Sequence, residues 1–403
     1  MEKLKRQLEM SVIAIPIGII TGILCALFGI VLLKLSDFRD MHKEIILFLP
    51  IAGLFIMFVM DKVAGISAKG MNLVFSTGHG DEGKIPLLLI PVVTITTWIT
   101  HLFGGSAGRE GVAIQIGATV SHNFAVYFRK DLDSKAFVVM GMAAGFSGLF
   151  GTPVAAVFFA MEVLIAGDLY IEALIPSLIA ALFAKGTSQY LGLEGFHNII
   201  EESFKFSTEN IFKLIVISII FGITGGLFAY ALKNIKKKLS VKFSDNMKKI
   251  FFGAIPLMLI IYFTHYGRYA GLGTNLIAES MQGNGIYNYD FILKFLITVF
   301  TLVLGFQGGE VTPIFAIGAT LGFFLATVFN LPVTLIAALG YAAVFSSATN
   351  TFIGPIFIGA EVFGYHNIPL FIIVCLISYL TNGGQSIYTL QKKKRFVKLK
   401  GNF

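Results

Sequence analysis

The sequence predicts an all-α, polytopic membrane protein built from two inverted-topology repeats, with broken helices that meet at mid-membrane. Three observations predict this fold: the apolar composition, the recurrence of long apolar stretches and an internal repeat. Of the 403 residues, 56% are hydrophobic and only 13% are charged, and the mean hydropathy is +0.80. Soluble domains are about 25% charged, so this composition indicates a membrane protein.

Apolar stretches that suit membrane helices recur from one end of the chain to the other. A helix needs about 20 mostly apolar residues to span the hydrocarbon core. The first stretch is too long for a signal-peptide core and no cleavage site follows it, so we expect it to remain as a membrane helix. The stretches lie at 11–33, 45–60, 84–103, 135–161, 171–183, 211–232, 250–264, 291–305 and 369–380.

The charged loops between these stretches predict the orientation. Residues 233–249 carry seven lysines and one aspartate, and residues 392–400 carry six Lys or Arg residues. Basic loops stay on the cytoplasmic side, so both segments are expected there. Residues 194–209 carry four glutamates and one lysine, and we expect them outside. The chain thus reads as a single transmembrane domain, 1–403, with cytoplasmic termini and a basic cytoplasmic tail at 391–403.

The composition argues against several other classes of site. The two cysteines, Cys25 and Cys375, lie far apart in apolar surroundings, and the seven histidines are scattered. We therefore expect neither a disulfide framework nor a metal site. The excess positive charge lies in loops between membrane segments, which is not a nucleic-acid-binding pattern. No metal, organic cofactor or nucleic acid is expected.

An internal repeat divides the chain into halves. Residues 141–164 and 340–363 are identical at nine of 24 positions without a gap. The first repeat is expected to cover 11–190 and the second 209–390. Transporters built from inverted repeats bind their substrate at the interface between the repeats, so we expect the site there.

Loop charge predicts that the repeats are inverted. The loop after the first apolar stretch of the second half, 233–249, has a net charge of +6 (seven lysines minus one aspartate). Its equivalent in the first half, 34–44, has three positive and three negative residues. Such different loops favour opposite sides of the membrane. The alternative is a parallel duplication whose loops have drifted.

Three glycine-rich stretches predict breaks inside membrane helices. They are GMNLVF at 70–75, GGSAGREG at 104–111 and GFQGGEVTP at 305–313. Irregular backbone at membrane depth is tolerated only where it lines a cavity or packs against protein. A helix that begins at such a break presents unpaired amides and the positive end of its dipole, which together bind anions. The breaks therefore predict an anion site.

Arg109 and Glu110 lie in the second break. Adjacent residues on a helix do not face each other, so we expect no mutual ion pair. A charged Glu110 at a helix start can occupy the place of an anion, and a protonated one can swing away. An intramembrane carboxylate indicates function. The alternative is a glutamate that satisfies helix amides and does nothing else.

GGSAG at 104–108 also matches the G-x-S-x-G nucleophile elbow, which would make Ser106 the nucleophile of a membrane-embedded hydrolase. That motif needs a preceding strand and a His/Asp partner. Here the preceding stretch reads as a membrane helix, so this alternative is disfavoured.

Four separated segments resemble those of the CLC family of chloride channels and proton-coupled exchangers. They are GREG at 108–111, GGEVTP at 308–313, the GMAAGF…TP run at 141–153, and Tyr388 in GGQSIYTL. The resemblance covers nearly the whole chain. It implies an inverted-repeat helical fold, a homodimer with one pore per subunit, and anion transport.

The departures from chloride-type members are similar to the bacterial fluoride/proton antiporter branch of that family. Met71 stands where chloride-type members carry a serine, and Asn72 follows it. Glu310 and Thr312 give the third break a Glu-x-Thr-Pro pattern. Val163 stands where proton-coupled chloride exchangers place an internal glutamate.

The resemblance implies that the protein exports fluoride in exchange for protons across a bacterial inner membrane, in contact with lipid. Glu110 would be the gating and proton-carrying glutamate, and Glu310 a second proton carrier or only a helix cap. The alternatives on the same fold are a passive fluoride or chloride channel and a chloride/proton exchanger.

A fluoride site must replace strong hydration with many donors, and the positive edges of aromatic rings can contribute. Phe75 and Phe315 are candidates for such edges, with plain packing as the alternative. The candidate anion-binding residues are Met71, Asn72, Gly108, Arg109, Gly111, Val112, Val311, Thr312 and Tyr388.

Overall fold

A computed structural model of the protein describes residues 2–128 and 134–394. This part of the chain forms sixteen α-helices: α1 Glu2–Met41, α2 Leu49–Lys62, α3 Met71–Gly78, α4 Leu89–Leu102, α5 Glu110–Phe128, α6 Ser134–Phe150, α7 Pro153–Val163, α8 Leu174–Tyr190, α9 Thr208–Lys242, α10 Asn246–Phe263, α11 Thr274–Gln282, α12 Asp290–Leu304, α13 Val311–Phe329, α14 Val333–Thr349, α15 Ile353–Phe363 and α16 Ile368–Leu380. Short 3-10 helices lie at Lys43–Phe48, Gly65–Lys69, Ile171–Ala173 and Tyr365–Asn367. Strand β1, Ile165–Ala166, pairs in parallel with β2, Lys392–Lys393.

The helices confirm the prediction of an all-α, multi-pass membrane protein. Six helical segments of the described chain are long and apolar enough to cross a membrane. They are Arg6–Met41, Lys43–Lys62, Ile171–Tyr190, Thr208–Lys242, Asn246–Phe263 and Val311–Phe329. Large apolar side chains on their outer faces, such as Phe55, Phe58 and Phe252, are at least half exposed, as suits a lipid-facing surface.

The apolar stretch at 135–161 differs from a single membrane helix. It divides into α6 and α7 at Gly151 and Thr152. Gly151 has a φ of +83°, a conformation that glycine adopts without steric cost. Pro153 then occupies the first position of α7, where the missing amide is tolerated.

Corresponding helices of the two halves have equal lengths. Helices α5 and α13 have 19 residues each, α6 and α14 have 17, and α7 and α15 have 11. Glycines lie where α5 crosses α6 and where α13 crosses α14. An added Cβ at Gly117 would lie 2.1 Å from the carbonyl oxygen of Gly141, and one at Gly318 would lie 2.2 Å from that of Gly340. The repeat boundaries and their inverted orientation stay predictions.

Two glutamates join the halves in a reciprocal way. The carboxylate of Glu162, on α7, accepts hydrogen bonds from the first amides of α15, with the nearest at Phe352 (2.8 Å) and Ile353 (3.0 Å). Glu361, on α15, accepts from Val154 and Ala155 at the start of α7. Each carboxylate therefore caps the helix that bears the other, which is a structural role.

The predicted basic tail, 391–403, lies mostly outside the described residues. The part that is described contributes strand β2. Both cysteines are buried and free.

Candidate functional site

The second and third predicted breaks meet at the centre of the molecule. Gly108 and Gly309 form an antiparallel bridge, in which each amide donates to the carbonyl oxygen of the other at 2.5 and 2.7 Å. Helix α5 begins two residues after Gly108, and α13 begins two residues after Gly309. The bridge therefore brings the N-termini of the two helices together, with their positive dipole ends close to each other.

Glu110 lies at this meeting point and is fully buried. Its Oε2 accepts hydrogen bonds from the Thr312 hydroxyl at 2.5 Å, the Thr312 amide at 3.2 Å and the Arg109 amide at 3.2 Å. A carboxylate from the start of α5 thus fills the N-terminal anion position of α13. Three donors therefore converge on a single oxygen of this carboxylate.

Arg109 does face Glu110, and the prediction of no mutual ion pair was wrong. Arg109 Nε lies 3.9 Å from Glu110 Oε1, and both side chains are buried. The rule for adjacent helical residues does not apply, because Arg109 precedes α5 and is not helical. Within the described chain, neither Arg109 Nε nor Nη1 has a hydrogen-bond acceptor, and Glu110 Oε1 has no donor.

Met71 and Glu310 converge on Gly111, in the first turn of α5. A Cβ placed on Gly111 would lie 3.7 Å from Met71 Cε and 4.0 Å from Glu310 Oε2. Glu310 is half-buried, and its carboxylate does not cap α13. Val112, which follows Gly111, and Val311, which follows Glu310, are both buried. All three breaks therefore contribute to one region.

Tyr388, in the segment that follows α16, borders this region. Its ring stacks on Phe75 of α3 with centroids 5.1 Å apart, and its buried hydroxyl has no partner in the described structure. That hydroxyl lies within electrostatic reach of Glu110 and Glu310. A buried donor without an acceptor suits a site for an anion.

Asn72 is not brought into the buried cluster. Its side chain is exposed, and its Oδ1 accepts a hydrogen bond from Thr389 Oγ1 at 3.0 Å. Helix α3 directs Leu73, Val74 and Phe75 inward instead. Any contact of Asn72 with an anion would therefore lie at the entrance to the region.

Phe315 is fully buried, and its ring face is covered by Tyr341 of α14 at a centroid distance of 3.9 Å. Phe150 and Phe345 also pack on it. This arrangement matches the packing alternative. Tyr341 itself lies within electrostatic reach of Glu110 and Arg109. The sequence reading missed it, although its place beside Gly340, in the repeated segment, was a usable signal.

Ser106 does not occupy a nucleophile elbow. It follows α4 rather than a strand, and it is fully buried. Its hydroxyl lies 2.8 Å from Thr298 Oγ1 and 2.9 Å from Lys294 Nζ. These contacts hold a loop in place.

Comparisons with known proteins agree with this geometry. The model of the family described as voltage gated chloride channel matches residues 52–383. A chloride/fluoride channel protein of Pseudomonas syringae pv. tomato is 34% identical over 383 residues, which cover 93% of this chain and 84% of that protein.

Solved structures share the fold over nearly the whole chain. The crystal structure of a CLC-type fluoride/proton antiporter superposes with a TM-score of 0.94 at 48% identity, covering 96% of this chain and 98% of that one. A slow cyanobacterial Cl⁻/H⁺ antiporter shares the fold with a TM-score of 0.82 at 20% identity, covering 94% of this chain and 96% of that one. The chain belongs to the CLC family of voltage gated chloride channels.

Proposed function

We propose that this protein is a fluoride/proton antiporter that exports fluoride from the cytoplasm in exchange for protons. The observation that carries the proposal is the fully buried Glu110 carboxylate at the joined N-termini of α5 and α13. A carboxylate that holds the anion position of a helix can alternate there with a free anion. The similarity to a CLC-type fluoride/proton antiporter supports fluoride as that anion.

Exchange follows from competition for one position. Ionised Glu110 accepts from Thr312 and blocks the path of the anion. Protonation removes its charge and weakens these bonds, so the side chain can leave and fluoride can take its place. The proton then travels inward with the carboxyl group and is released, while the anion moves outward. Because the two cannot occupy the position together, one moves only as the other does.

Fluoride needs strong donors in place of its hydration shell. The Thr312 hydroxyl, the Tyr388 hydroxyl and the first amides of α5 and α13 can donate to it. Tyr388 has no other partner in the described structure, which leaves its proton available. Gly111 and Val311 can contribute backbone amides, and Arg109 contributes positive charge nearby. The Gly108 amide is held in the bridge to Gly309, so Gly108 would shape the site without donating to the anion.

Glu310 is proposed as a second proton carrier. Its Oε2 would lie 4.0 Å from a Cβ placed on Gly111, the residue that follows Glu110. It is half-buried and free of a capping role, so it can accept the proton from Glu110 and pass it inward. Val163, at the position where chloride/proton exchangers carry an internal glutamate, cannot do so.

The setting proposed for this cycle is a bacterial inner membrane, with two copies of the chain in a homodimer and lipid around them. Exposed apolar side chains on α2, α9 and α10 support contact with lipid. The basic loop between α9 and α10 supports a cytoplasmic position for that loop.

The test uses purified protein in liposomes, a fluoride electrode and an internal pH dye. An imposed fluoride gradient should drive protons uphill, and chloride should not replace fluoride. Fluoride flux without proton movement would instead indicate a passive channel. Equal flux of chloride, coupled to protons, would indicate a chloride/proton exchanger.

A further inference from the structure

Lys294 is a buried lysine for which the proposed exchange cycle gives no role. It lies near the start of α12 and is fully buried. Its Nζ donates to Ser106 Oγ at 2.9 Å, to the Tyr269 carbonyl at 3.1 Å and to the Gly271 carbonyl at 2.8 Å. All three acceptors are uncharged, and together they join two segments that are distant in sequence. A fully buried lysine that makes three hydrogen bonds fixes the groups around it.

Lys294 begins a polar stripe on an otherwise apolar helix. Lys294, Thr298 and Thr301 are spaced four and three residues apart, so they lie on one face of α12. All three are fully buried and directed at Ser106. The Thr298 hydroxyl contacts the Ser106 hydroxyl at 2.8 Å, and the Thr301 hydroxyl accepts from the Ser106 amide at 3.2 Å.

Ser106 belongs to the short segment 105–108 that leads into Glu110. Other contacts hold this segment as well. The Gly105 carbonyl accepts from the Gly271 amide at 3.2 Å, and the Ala107 carbonyl lies 3.0 Å from His101 Nε2. Beyond Gly108 the chain enters α5, so the position of the Glu110 carboxylate depends on where this segment is held.

We propose that Lys294 is a positioning residue for Glu110. It links segment 105–108 to the loop 267–273 and thereby keeps the Glu110 carboxylate at Thr312. This inference rests on the exchange function proposed above. Without the link, the segment can shift and the carboxylate can leave Thr312 while still ionised. Fluoride then passes without a proton, because small misplacements of a reacting group have large effects.

The test compares the protons moved per fluoride in liposomes that contain full-length wild-type protein or Lys294→Met. Loss of the buried hydrogen bonds of Lys294 should shift such an equilibrium by about tenfold, so the proton/fluoride ratio should fall severalfold. Lys249→Met is the matched control. Lys249 is also buried, but it lies on α10 and donates to Asn246, so its ratio should equal that of the wild type.

The proton/fluoride ratio distinguishes a positioning role from a merely structural one. Loss of a merely structural contact lowers the amount of folded protein and the total flux but leaves the ratio unchanged. Ser106→Ala and Thr298→Val keep Lys294 and remove single contacts of the segment. These two variants test the inference if Lys294→Met does not fold. Each should lower the proton/fluoride ratio less than the severalfold fall expected for Lys294→Met. A wild-type ratio in folded Lys294→Met, or in both milder variants if Lys294→Met does not fold, overturns the inference. If the wild type moves no protons against fluoride, the proposed function fails instead.

Discussion

Glu110 combines two properties that a single residue seldom has, because it is both the first residue of one helix and the cap of another. An ionised carboxylate accepts the Thr312 hydrogen bonds more strongly than a protonated carboxyl does, and Arg109 Nε lies 3.9 Å from its other oxygen. In the proposed cycle, protonation would therefore release the side chain as well as change its charge, which is the property that exchange requires.

A neutral isostere of Glu110 should separate the two flows. Glu110→Gln keeps the shape, and its amide oxygen can still accept the hydrogen bond from the Thr312 hydroxyl, but it cannot carry a proton through the membrane. We expect proton movement driven by fluoride to disappear, whether or not fluoride flux remains. The pH-dye assay checks this, with Glu162→Gln as a control that should retain coupling. Full coupling in Glu110→Gln would contradict the assigned role.

The Thr312 hydroxyl should help to set how firmly Glu110 is held. Thr312→Val removes the hydroxyl while keeping the volume, and Thr312→Ser keeps the hydroxyl as the matched control. Loss of a hydrogen bond to a charged group costs about 1.5–3 kcal/mol. We therefore expect the valine variant to lose proton coupling at least in part and the serine variant to keep it. Equal coupling ratios in the two variants would show that the hydroxyl is dispensable.

At the scale of single residues, the sequence predicted the polar side chains that lie at helix ends and in glycine-rich breaks. Glu110, Thr312 and Glu310 could be predicted because each stands next to such a break. Lys294 could not, because its partners are distant in sequence and only the packing of α12 brings it to Ser106. Tyr341 was missed although it stands in the repeated segment, beside Gly340. The ion contact of Arg109 was missed because the exact start of α5 decides it.

At the scale of elements, the glycine crossings determine how closely neighbouring helices approach. The α5–α6 contact places Gly117 against the backbone of Gly141, and the second repeat does the same with Gly318 and Gly340. Helices that approach this closely make many backbone contacts, as is common in membranes. The site depends on this approach, because α5 and α13 carry Glu110 and Thr312 at their first turns.

A methyl group at such a crossing should therefore destabilise the protein. In Gly117→Ala the new Cβ would lie 2.1 Å from the Gly141 carbonyl oxygen, so α5 must move away from α6. Overpacking of this kind costs roughly 1–3 kcal/mol, and we expect a lower thermal denaturation midpoint in detergent. Gly186→Ala is the matched control, since nothing lies within 4 Å of its added Cβ. An unchanged denaturation midpoint in Gly117→Ala would mean that α5 and α6 can move apart at this crossing with little loss of stability.

The lengths of the elements explain which helices the sequence revealed. Long apolar helices such as α1 and α9 were evident from hydropathy. Helices α5 and α13 to α15 were not among the predicted apolar stretches. For α13 the hydropathy signal was present, because Val311–Phe329 is long and apolar enough to cross a membrane. Its glycines and threonines mark the packing contacts and the site instead.

At the scale of the whole molecule, the two halves depend on each other. Glu162 and Glu361 cap helices across the interface, and the Gly108–Gly309 bridge joins the two breaks. Neither half can complete the site alone, because Glu110 comes from one half and Thr312 from the other. The internal repeat in the sequence predicted this division. It could not reveal the bridge, which depends on a pairing between residues some 200 positions apart.

The orientation of the molecule can be tested with single cysteines. Both natural cysteines are buried, so the wild type should not react with a membrane-impermeant maleimide. Lys238 and Glu201 are exposed, in the basic and the acidic connecting regions. The charge rule places Lys238 in the cytoplasm and Glu201 outside. We expect Glu201→Cys to react in intact spheroplasts and Lys238→Cys to react only after permeabilisation.

The labelling pattern also bears on the direction of exchange. If Glu201→Cys is shielded and Lys238→Cys reacts in intact spheroplasts, the charge rule fails for this chain and the whole orientation reverses. Reaction of both variants in intact spheroplasts would place both loops outside, which is incompatible with one crossing by α9 between them. With the expected pattern, α9 runs from outside to inside, and the acidic connection before it faces the compartment that supplies the protons.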